Sequence, residues 1–257
     1  MKFARCLAMI AACVASAPAA AERIVSSVST HQVMISSNFT GLDLVLFGTV
    51  ERDAATVLRK SGYDLVMTVT GPKVSTVTRR KERTFGIWVN VESRAFIDVP
   101  SYLVVMSSRP FDGFVNADTI RRLQLGLNRT LLPQQIGSDL ADTVREDPFR
   151  GAFLRLKAVR HLYVENTAGV TFLTPTLFRA TIPIPAEVPV GNYDINLKLF
   201  ADGQNIAQAT SAFEIVKVGF EQFVFSQAQT NGFFYGLATV MLALLTGWFA
   251  SVVFRRD

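Results

Sequence analysis

The pattern of hydrophobic and polar positions separates one long apolar segment near the C-terminal end from the rest of the chain. Residues 232–254 read GFFYGLATVMLALLTGWFASVVF, a run of 23 residues without a charged side chain. As a helix, a segment of this length spans about 35 Å, which is enough to cross a hydrocarbon core of roughly 30 Å. The pattern therefore predicts one C-terminal transmembrane helix.

Elsewhere the apolar residues recur mainly at every second position, which is typical of β-strands. Residues 32–108 are rich in Val, Thr, Ile and Phe and are interrupted by turn signals such as Gly71-Pro72. In a second region the alternation is clearest, and the inward positions are Tyr193, Ile195, Leu197 and Leu199. A turn at Asp202-Gly203 then leads into a returning strand. Pro189-x-Gly191-x-Tyr193, before this hairpin, is typical of the last strands of immunoglobulin-like sandwiches.

The period becomes helical in the middle of the chain. Asn116 or Asp118 can cap a first helix, and Asp147-Pro148 is a typical helix start, with an acidic cap followed by proline at the first helical position. The second helix presents an apolar stripe made of Phe149, Ala152, Phe153, Leu156 and Val159. We expect a mainly β fold with two immunoglobulin-like β-sandwich regions separated by a helical pair, plus one C-terminal transmembrane helix.

The N-terminal residues have the pattern of a secretory signal peptide. Lys2 and Arg5 precede a short apolar run, and Ala19-x-Ala21 matches the small-residue pattern of a cleavage site. A lipoprotein signal that ends at Cys13 is the alternative, but its apolar stretch would be shorter than such signals use. Removal of residues 1–21 takes away Cys6 and Cys13, the two cysteines of the chain, so the mature domain has no disulfide to stabilise it.

The charges near the two ends predict the orientation of the protein in the membrane. Arg255 and Arg256 follow the apolar segment, and the positive-inside rule places such residues in the cytoplasm. We therefore expect a periplasmic domain with a single-pass anchor in the inner membrane. The predicted segments are a signal peptide at 1–21, a first β-sandwich region at 22–108, a helical segment at 109–165, a second β-rich region at 166–218 that other segments can complete, a juxtamembrane segment at 219–231, the transmembrane helix at 232–254 and a cytoplasmic stub at 255–257.

The sequence TRRKERTFGIWVN, at residues 78–90, combines a basic run with a tryptophan. Its alternation predicts two strands joined by an exposed turn near Arg80 to Arg83. Strand alternation also predicts that Phe85, Ile87 and Val89 share a face with Arg79, Lys81 and Arg83, and that Trp88 lies on the opposite face. An exposed tryptophan beside arginine is typical of an interface hot spot. The candidate interface residues are Arg79, Arg80, Lys81, Arg83 and Trp88.

Other interpretations of this stretch remain open. The charges can simply solvate and protect a hairpin tip, another part of the chain can cover Trp88, or the basic residues can contact lipid headgroups. Nucleic acid is not an expected partner, because the predicted domain is periplasmic. Removal of Lys2 and Arg5 also lowers the formal net charge from +5 to +3.

The apolar segment carries small residues at helical spacing. Gly232 and Gly236 form a GxxxG pattern, which permits the backbones of two helices to approach closely in lipid. The candidate packing face consists of Gly232, Gly236, Thr239, Ala243, Gly247 and Ser251. It predicts contact with an inner-membrane protein or with a second copy of the chain, although glycine and alanine are also common in membrane helices without such a role.

The sequence offers no constellation for catalysis. His31 and His161 are far apart along the chain, and GxSxG, P-loop, GxGxxG and HExxH patterns do not occur. Asp139, Asp142 and Glu146 could share one helical face as a calcium-like site, but an exposed helix face or cap is the favoured interpretation. We expect no enzymatic activity, no catalytic residue, no cofactor and no bound metal.

Several short motifs resemble those of a known family. They are Phe39-Thr40-Gly41, Leu46-Phe47-Gly48, Gly71-Pro72, Arg79-Arg80-Lys81, Gly86-Ile87-Trp88-Val89-Asn90, Leu177-Phe178-Arg179-Ala180, Pro189-x-Gly191-x-Tyr193, Tyr235-Gly236 and Gly247-Trp248. On these motifs the mature chain resembles the alphaproteobacterial putative transmembrane protein family, Alph_Pro_TM. The resemblance implies a signal peptide, a periplasmic domain and one C-terminal anchor, and it carries no catalytic residue. Proteins of this family are often encoded near sulfite-exporter-like transporters, so the resemblance makes such an anion transporter a candidate partner.

These observations favour one function and leave one alternative. The favoured function is that of a membrane-anchored periplasmic protein which acts as an interaction or accessory module for a membrane partner, such as an anion transporter. The alternative is a periplasmic small-anion-binding receptor domain that uses the arginines of the basic run, because guanidinium groups bind oxyanions in a bidentate manner.

Overall fold

The computed structural model describes residues 22–52, 62–136, 139–142, 147–219, 224 and 228–254. The predicted signal peptide and cytoplasmic stub lie outside the described residues, as does part of the predicted juxtamembrane segment. Within the described residues the chain is mainly β, with three sheets, a few short helices and one long apolar helix at the C-terminal end.

The strands of the described residues, in chain order, are β1 (Arg23–Val28), β2 (Gln32–Ile35), β3 (Gly41–Glu51), β4 (Asp64–Thr70), β5 (Lys73–Thr84), β6 (Ile87–Pro100), β7 (Leu103–Ser107), β8 (Pro133–Ile136), β9 (Asp139–Asp142), β10 (Tyr163–Asn166), β11 (Val170–Phe172), β12 (Leu177–Pro185), β13 (Gly191–Ala201) and β14 (Gln204–Lys217). The α-helices are α1 (Ala117–Arg122), α2 (Pro148–Val159) and α3 (Gly232–Val253), and short 3₁₀ turns occupy Phe111–Gly113 and Leu127–Arg129.

The strands form three sheets whose order mixes early and late parts of the chain. The first sheet has the order β1-β3-β12-β11, the second β10-β7-β4-β13-β14-β2, and the third β5-β6-β8-β9. Strand β3 pairs with β12, and β4 pairs with β13. The two predicted β regions therefore share two sheets, and the prediction of two separate sandwich regions is wrong in this respect. Alternation reveals which side of a strand is buried, but it does not reveal which strand is its neighbour.

One hydrophobic core receives side chains from the first two sheets. Strand β3 buries Leu44, Leu46 and Val50 at every second position, and β12 does the same with Ile182 and Ile184. In β13 the buried positions are Tyr193, Ile195, Leu197 and Leu199, as the alternation predicts. The hairpin turn after β13 has positive φ angles of 50° at Asp202 and 79° at Gly203, which explains the Asp-Gly signal.

A glycine and a phenylalanine fit together across the first sheet. Gly48 in β3 is the direct partner of Phe178 in β12. A Cβ atom added to Gly48 would overlap with the Phe178 ring, so a larger residue at this position would have to displace the ring. The pairing gives a physical reason for two of the family-like motifs, Leu46-Phe47-Gly48 and Leu177-Phe178-Arg179-Ala180.

Three buried tyrosines each form a hydrogen bond from the phenol to the backbone. Each hydroxyl donates a hydrogen bond to the backbone carbonyl of a proline: Tyr102 to Pro183 at 2.5 Å, Tyr163 to Pro100 at 2.6 Å and Tyr193 to Pro189 at 2.5 Å. The rings of Tyr102 and Tyr193 also meet edge to face, with 5.6 Å between their centroids. The hydroxyl groups of these buried tyrosines therefore have hydrogen-bond partners within the domain.

The predicted helical segment contains both helices and strands. Asn116 caps α1, because its side chain accepts a hydrogen bond from the Thr119 amide at 2.8 Å, and Asp147 caps α2 by accepting from the Arg150 amide at 3.0 Å. Strands β8 and β9 lie between the two helices and extend the third sheet. The expectation that Asp139 and Asp142 share a helical face is therefore wrong, and Glu146 lies outside the described residues.

Helix α2 is fixed to the third sheet by its aromatic residues. The Phe153 ring stacks on Phe96 of β6 with 4.4 Å between centroids, and the guanidinium of Arg94 lies 5.4 Å from the centre of the Phe149 ring. Leu156 and Val159 of the predicted apolar stripe are exposed instead. The helix thus buries only the first half of its apolar stripe.

Helix α3 confirms the predicted apolar helix and ends one residue earlier than expected, at Val253. It has 22 residues, a mean hydropathy of 1.9 and no buried side chain, so by length and composition it can cross a membrane. Among the described residues it is the one helix that meets these criteria.

Candidate interaction site

The predicted basic stretch forms a long antiparallel hairpin made of β5 and β6. The chain reverses at Phe85 and Gly86, which have positive φ angles of 50° and 86°. The predicted turn near Arg80 to Arg83 is therefore misplaced, and these residues belong to β5. Only Gly86 signals the turn in the sequence, because phenylalanine rarely adopts a positive φ angle.

Pairing across the hairpin determines which side chains share a face. Arg83 is the direct partner of Trp88, and Lys81 is the partner of Asn90. Directly paired residues lie on the same face of a sheet, and Arg79, two positions before Lys81, shares that face. We define the basic face as Arg79, Lys81, Arg83 and Trp88.

The observed faces differ from the prediction in one respect. Thr84 pairs with Ile87 and Glu82 pairs with Val89, so the two apolar residues of β6 lie opposite the basic face and not on it. The cause is the two-residue turn at Phe85 and Gly86, which makes Thr84 the direct partner of Ile87. Moving a turn by one position reverses the faces of all residues beyond it. The extra residue at the register shift between Arg80 and Lys81 is Val91 of β6, so the alternation within β5 is unchanged and Arg79 stays on the basic face.

The cations of the hairpin differ in their ion pairs. Arg80 lies on the face opposite the basic face and contacts the carboxylates of Glu82 at 3.0 Å and Glu92 at 3.4 Å. Within the part of the chain that the structure describes, Arg79, Lys81 and Arg83 form no ion pair. The basic face therefore carries charge that no described side chain neutralises.

The hairpin ends in exposed apolar residues. Phe85 is fully exposed, and Ile87 and Trp88 are 66% and 68% exposed. We call these three residues the apolar tip. The interpretation that another part of the chain covers Trp88 finds no support among the described residues, since more than half of the indole is open to solvent.

The six predicted packing residues of the transmembrane helix all lie within α3. A Cβ atom added to Gly232, Gly236 or Gly247 would meet no other atom within 4 Å. The Thr239 hydroxyl donates to the Tyr235 carbonyl at 2.8 Å, so it is satisfied within its own helix. Between α3 and the hairpin we find no hydrogen bond or ion pair among the described residues. The two sets of candidate residues remain separate predictions.

A groove beside β5 is the main site feature that sequence reasoning missed. It has a volume of about 370 Å³ and is lined by residues 78–81 of β5 and by Phe149, Ala152, Arg155 and Leu156 of α2. We call it the edge groove, because β5 is the first strand of the third sheet and has β6 on one side only among the described strands. No local sequence signal indicates that α2 returns to lie beside β5.

The two histidines lie in different parts of the structure. His31 precedes β2, and His161 follows α2 in a wider groove of about 840 Å³ that is also lined by Asp43, Arg160 and Glu187. Within the described ranges there is no group of three or more His, Cys, Asp or Glu side chains that could hold a metal ion.

Comparison with protein families identifies this chain. The family described as "Putative transmembrane protein (Alph_Pro_TM)" matches residues 23–256, and the chain belongs to that family. The comparison with curated proteins found no match. Among solved structures, the N-terminal domain of the Streptococcus gordonii adhesin Sgo0707 is similar, with 10% sequence identity and a TM-score of 0.27. The match covers 76% of this chain and 32% of that one, and it is too weak to indicate a shared fold.

Proposed function

We propose that this protein is a membrane-anchored periplasmic interaction module that acts as an accessory protein for an inner-membrane partner. The observation that carries the proposal is the apolar tip, which exposes Phe85, Ile87 and Trp88. It lies beside the basic face, whose cations form no ion pair among the described residues. Clusters of exposed apolar side chains on a folded domain mark surfaces that contact another protein or a membrane.

The composition of this surface favours a protein partner. Tryptophan and arginine are enriched in interface hot spots, because a flat indole and a planar guanidinium can be buried with little loss of side-chain entropy. Trp88 and Arg83 face the same side of the hairpin, so one partner surface can contact both. The complementary surface is an acidic patch with an apolar depression for the indole.

The anchor restricts where the partner can be. Helix α3 has the length and hydropathy of a single membrane span, and Arg255 and Arg256 after it favour a cytoplasmic C-terminus. A domain tethered in this way meets membrane proteins at high effective concentration. An anion transporter is the candidate partner, and the small residues of α3 offer it, or a second copy of this chain, a surface for helix packing.

The alternative function, a small-anion receptor, has less support in this geometry. The four basic residues lie along an exposed hairpin, and Arg80 faces away from the other three and contacts two carboxylates. An anion receptor needs several donors that converge on one protected point.

We also propose that the fold is immunoglobulin-like. The Tyr193 hydroxyl donates to the Pro189 carbonyl four residues upstream, at 2.5 Å, which is the geometry of a tyrosine corner in such sandwiches. The hydrophobic core to which strands of the first two sheets both contribute supports the same description.

Co-purification of the full-length protein from gently solubilised membranes tests the proposed function. Trp88→Ser should reduce recovery of the partner by about tenfold, as expected for loss of a hot-spot contact. The matched control is Phe47→Ser, because Phe47 is also an exposed aromatic residue but lies on β3, away from the hairpin. Binding of the protein in detergent to anionic lipid vesicles is the competing result: if Trp88→Ser abolished vesicle binding and left partner recovery unchanged, the tip would be a membrane contact and the proposal would be wrong.

A further inference from the structure

The edge groove has the features of a site where an extended peptide joins a sheet. Strand β5 has 12 residues and is the longest of the strands that end a described sheet. Every second residue of an edge strand directs its backbone N–H and C=O groups away from the sheet. Four consecutive residues, 78–81, line the groove. Because their side chains alternate between the two faces, a groove that touches all four runs along the backbone edge of the strand.

Helix α2 supplies a second, apolar wall. Phe149, Ala152 and Leu156 face the groove at helical spacing, and Leu156 is exposed. The stacking of Phe153 on Phe96 fixes this helix to the neighbouring strand β6. A strand edge beside a fixed helix gives backbone hydrogen bonds on one side and side-chain pockets on the other, which is how peptide-binding domains recognise an added strand.

The charges at the groove define the chemistry of the ligand. Arg79, Arg80, Lys81 and Arg155 line it, and among the described residues no acidic side chain does. Arg79, Lys81 and Arg155 form no ion pair within the described part of the chain. Basic side chains on an edge strand can also serve only to prevent aggregation. An edge protected in this way does not need an apolar helical wall with an open space of about 370 Å³ beside it.

We propose that the edge groove binds an extended acidic segment of a partner protein by strand addition to β5. Acidic side chains of the segment contact Arg79, Lys81 and Arg155. Apolar side chains at alternate positions contact the exposed Leu156 of the helical wall. The inference rests on the proposed function, because Arg79 and Lys81 also belong to the basic face. It adds a second, separable contact that does not involve Trp88.

The test uses the full-length protein in nanodiscs and a fluorescent seven-residue peptide that alternates valine and glutamate. The control peptide has the same sequence, with every second backbone amide N-methylated, so it keeps its charge and loses the donors needed for strand addition. We expect methylation to weaken binding about tenfold or more, since each lost backbone hydrogen bond leaves an acceptor of β5 unpaired. Peptide binding should also slow hydrogen exchange of the amides at residues 78–81.

Two protein variants locate the site. Leu156→Glu places a negative charge in the groove and should weaken peptide binding about tenfold, while Val159→Glu, on the same helix outside the groove, should change it by about twofold at most. The inference is overturned if both peptides bind equally well, if the two variants bind alike, or if the unmethylated peptide does not bind. None of these results affects the Trp88-dependent recovery of a partner, so the proposed function stands or falls separately.

Discussion

Trp88 and Arg83 are direct partners across the β5–β6 hairpin, so the indole and the guanidinium project from the same face of the sheet. They are five positions apart in the sequence, and the turn at Phe85 and Gly86 brings them together near the end of the hairpin. Because Trp88 is 68% exposed, this pair offers a partner a large apolar surface beside a positive charge. The account of this protein as an interaction module depends mainly on this relationship.

The first prediction separates surface aromatic residues from core aromatic residues in the same hairpin. Trp88→Ala should change the free energy of unfolding by no more than about 0.5 kcal/mol, as is usual for exposed side chains. Phe96→Ala, near the base of β6, should cost about 3–5 kcal/mol, because Phe96 is fully buried and stacks on Phe153. Thermal and denaturant unfolding of the full-length protein in detergent measure both values. Equal losses in the two variants would place Trp88 in the core.

The second prediction concerns the contact between Gly48 and Phe178. Gly48→Ala should destabilise the domain by about 1–3 kcal/mol, because the new methyl group overlaps with the Phe178 ring. Phe178→Leu makes space and should recover part of this loss in the double variant, although it is itself destabilising. A double-mutant cycle of unfolding free energies measures the coupling. Strictly additive effects would show that the ring does not restrict position 48.

Several features of this fold could be predicted from the sequence because they depend on neighbouring residues. The caps at Asn116 and Asp147, the turn at Asp202-Gly203 and the apolar anchor all follow from local chemistry. The pairing of β3 with β12 could not be predicted, because it joins strands more than 100 positions apart. The same limit applies to the edge groove, which exists only because α2 returns to the side of β5.

The faces of the hairpin show how a small local error changes a predicted site. The alternation of residues 78–90 is clear, but the chain reverses at Phe85, a residue type that does not signal a turn. As a result Trp88 shares its face with the basic residues, and Ile87 and Val89 do not. The five candidate interface residues remain a prediction, with Arg80 now separated from the others.

The third prediction concerns alkaline pH. Burial raises the pKa of Tyr102, Tyr163 and Tyr193, whereas an unfolded tyrosine ionises near pH 10. Above about pH 10 the folded state therefore binds more protons than the unfolded state. The free energy of unfolding then decreases by about 1.4 kcal/mol per pH unit for each buried tyrosine. Burial lowers the pKa of Lys157 and Lys198, so these two lysines make the free energy of unfolding rise with pH. This opposing effect ends at the pKa of an unfolded lysine, about 10.4. Denaturant unfolding between pH 9 and about 11.5 should show the decline, and its absence would contradict the burial of the phenols.

A matched variant sharpens the pH experiment. Tyr163→Phe removes one ionisable phenol and retains the aromatic contact with Phe153, so the slope above about pH 10.5 should fall by about one third. An unchanged slope would show that Tyr163 does not contribute to the pH dependence.

The fourth prediction concerns the small residues of α3. Gly236→Ile combined with Gly247→Ile should weaken association with a membrane partner or with a second copy, because the new side chains keep helix backbones apart. Both changes raise apolarity, so insertion into the membrane should persist. Ala238→Ile, on the opposite side of α3, is the control. Cross-linking yields in native membranes measure association, and equal yields for all variants would show that the small residues reflect composition only.

The most direct test of the interaction module is site-specific photo-cross-linking from position 88 of the full-length protein in intact cells. With a photoreactive phenylalanine derivative in place of Trp88, the account predicts a covalent product with an inner-membrane protein. That product should be lost when Arg79, Lys81 and Arg83 are replaced by glutamine, and it should be absent when the same probe replaces Phe47. A product that forms equally from positions 47 and 88, or probe adducts with lipid alone, would contradict the account.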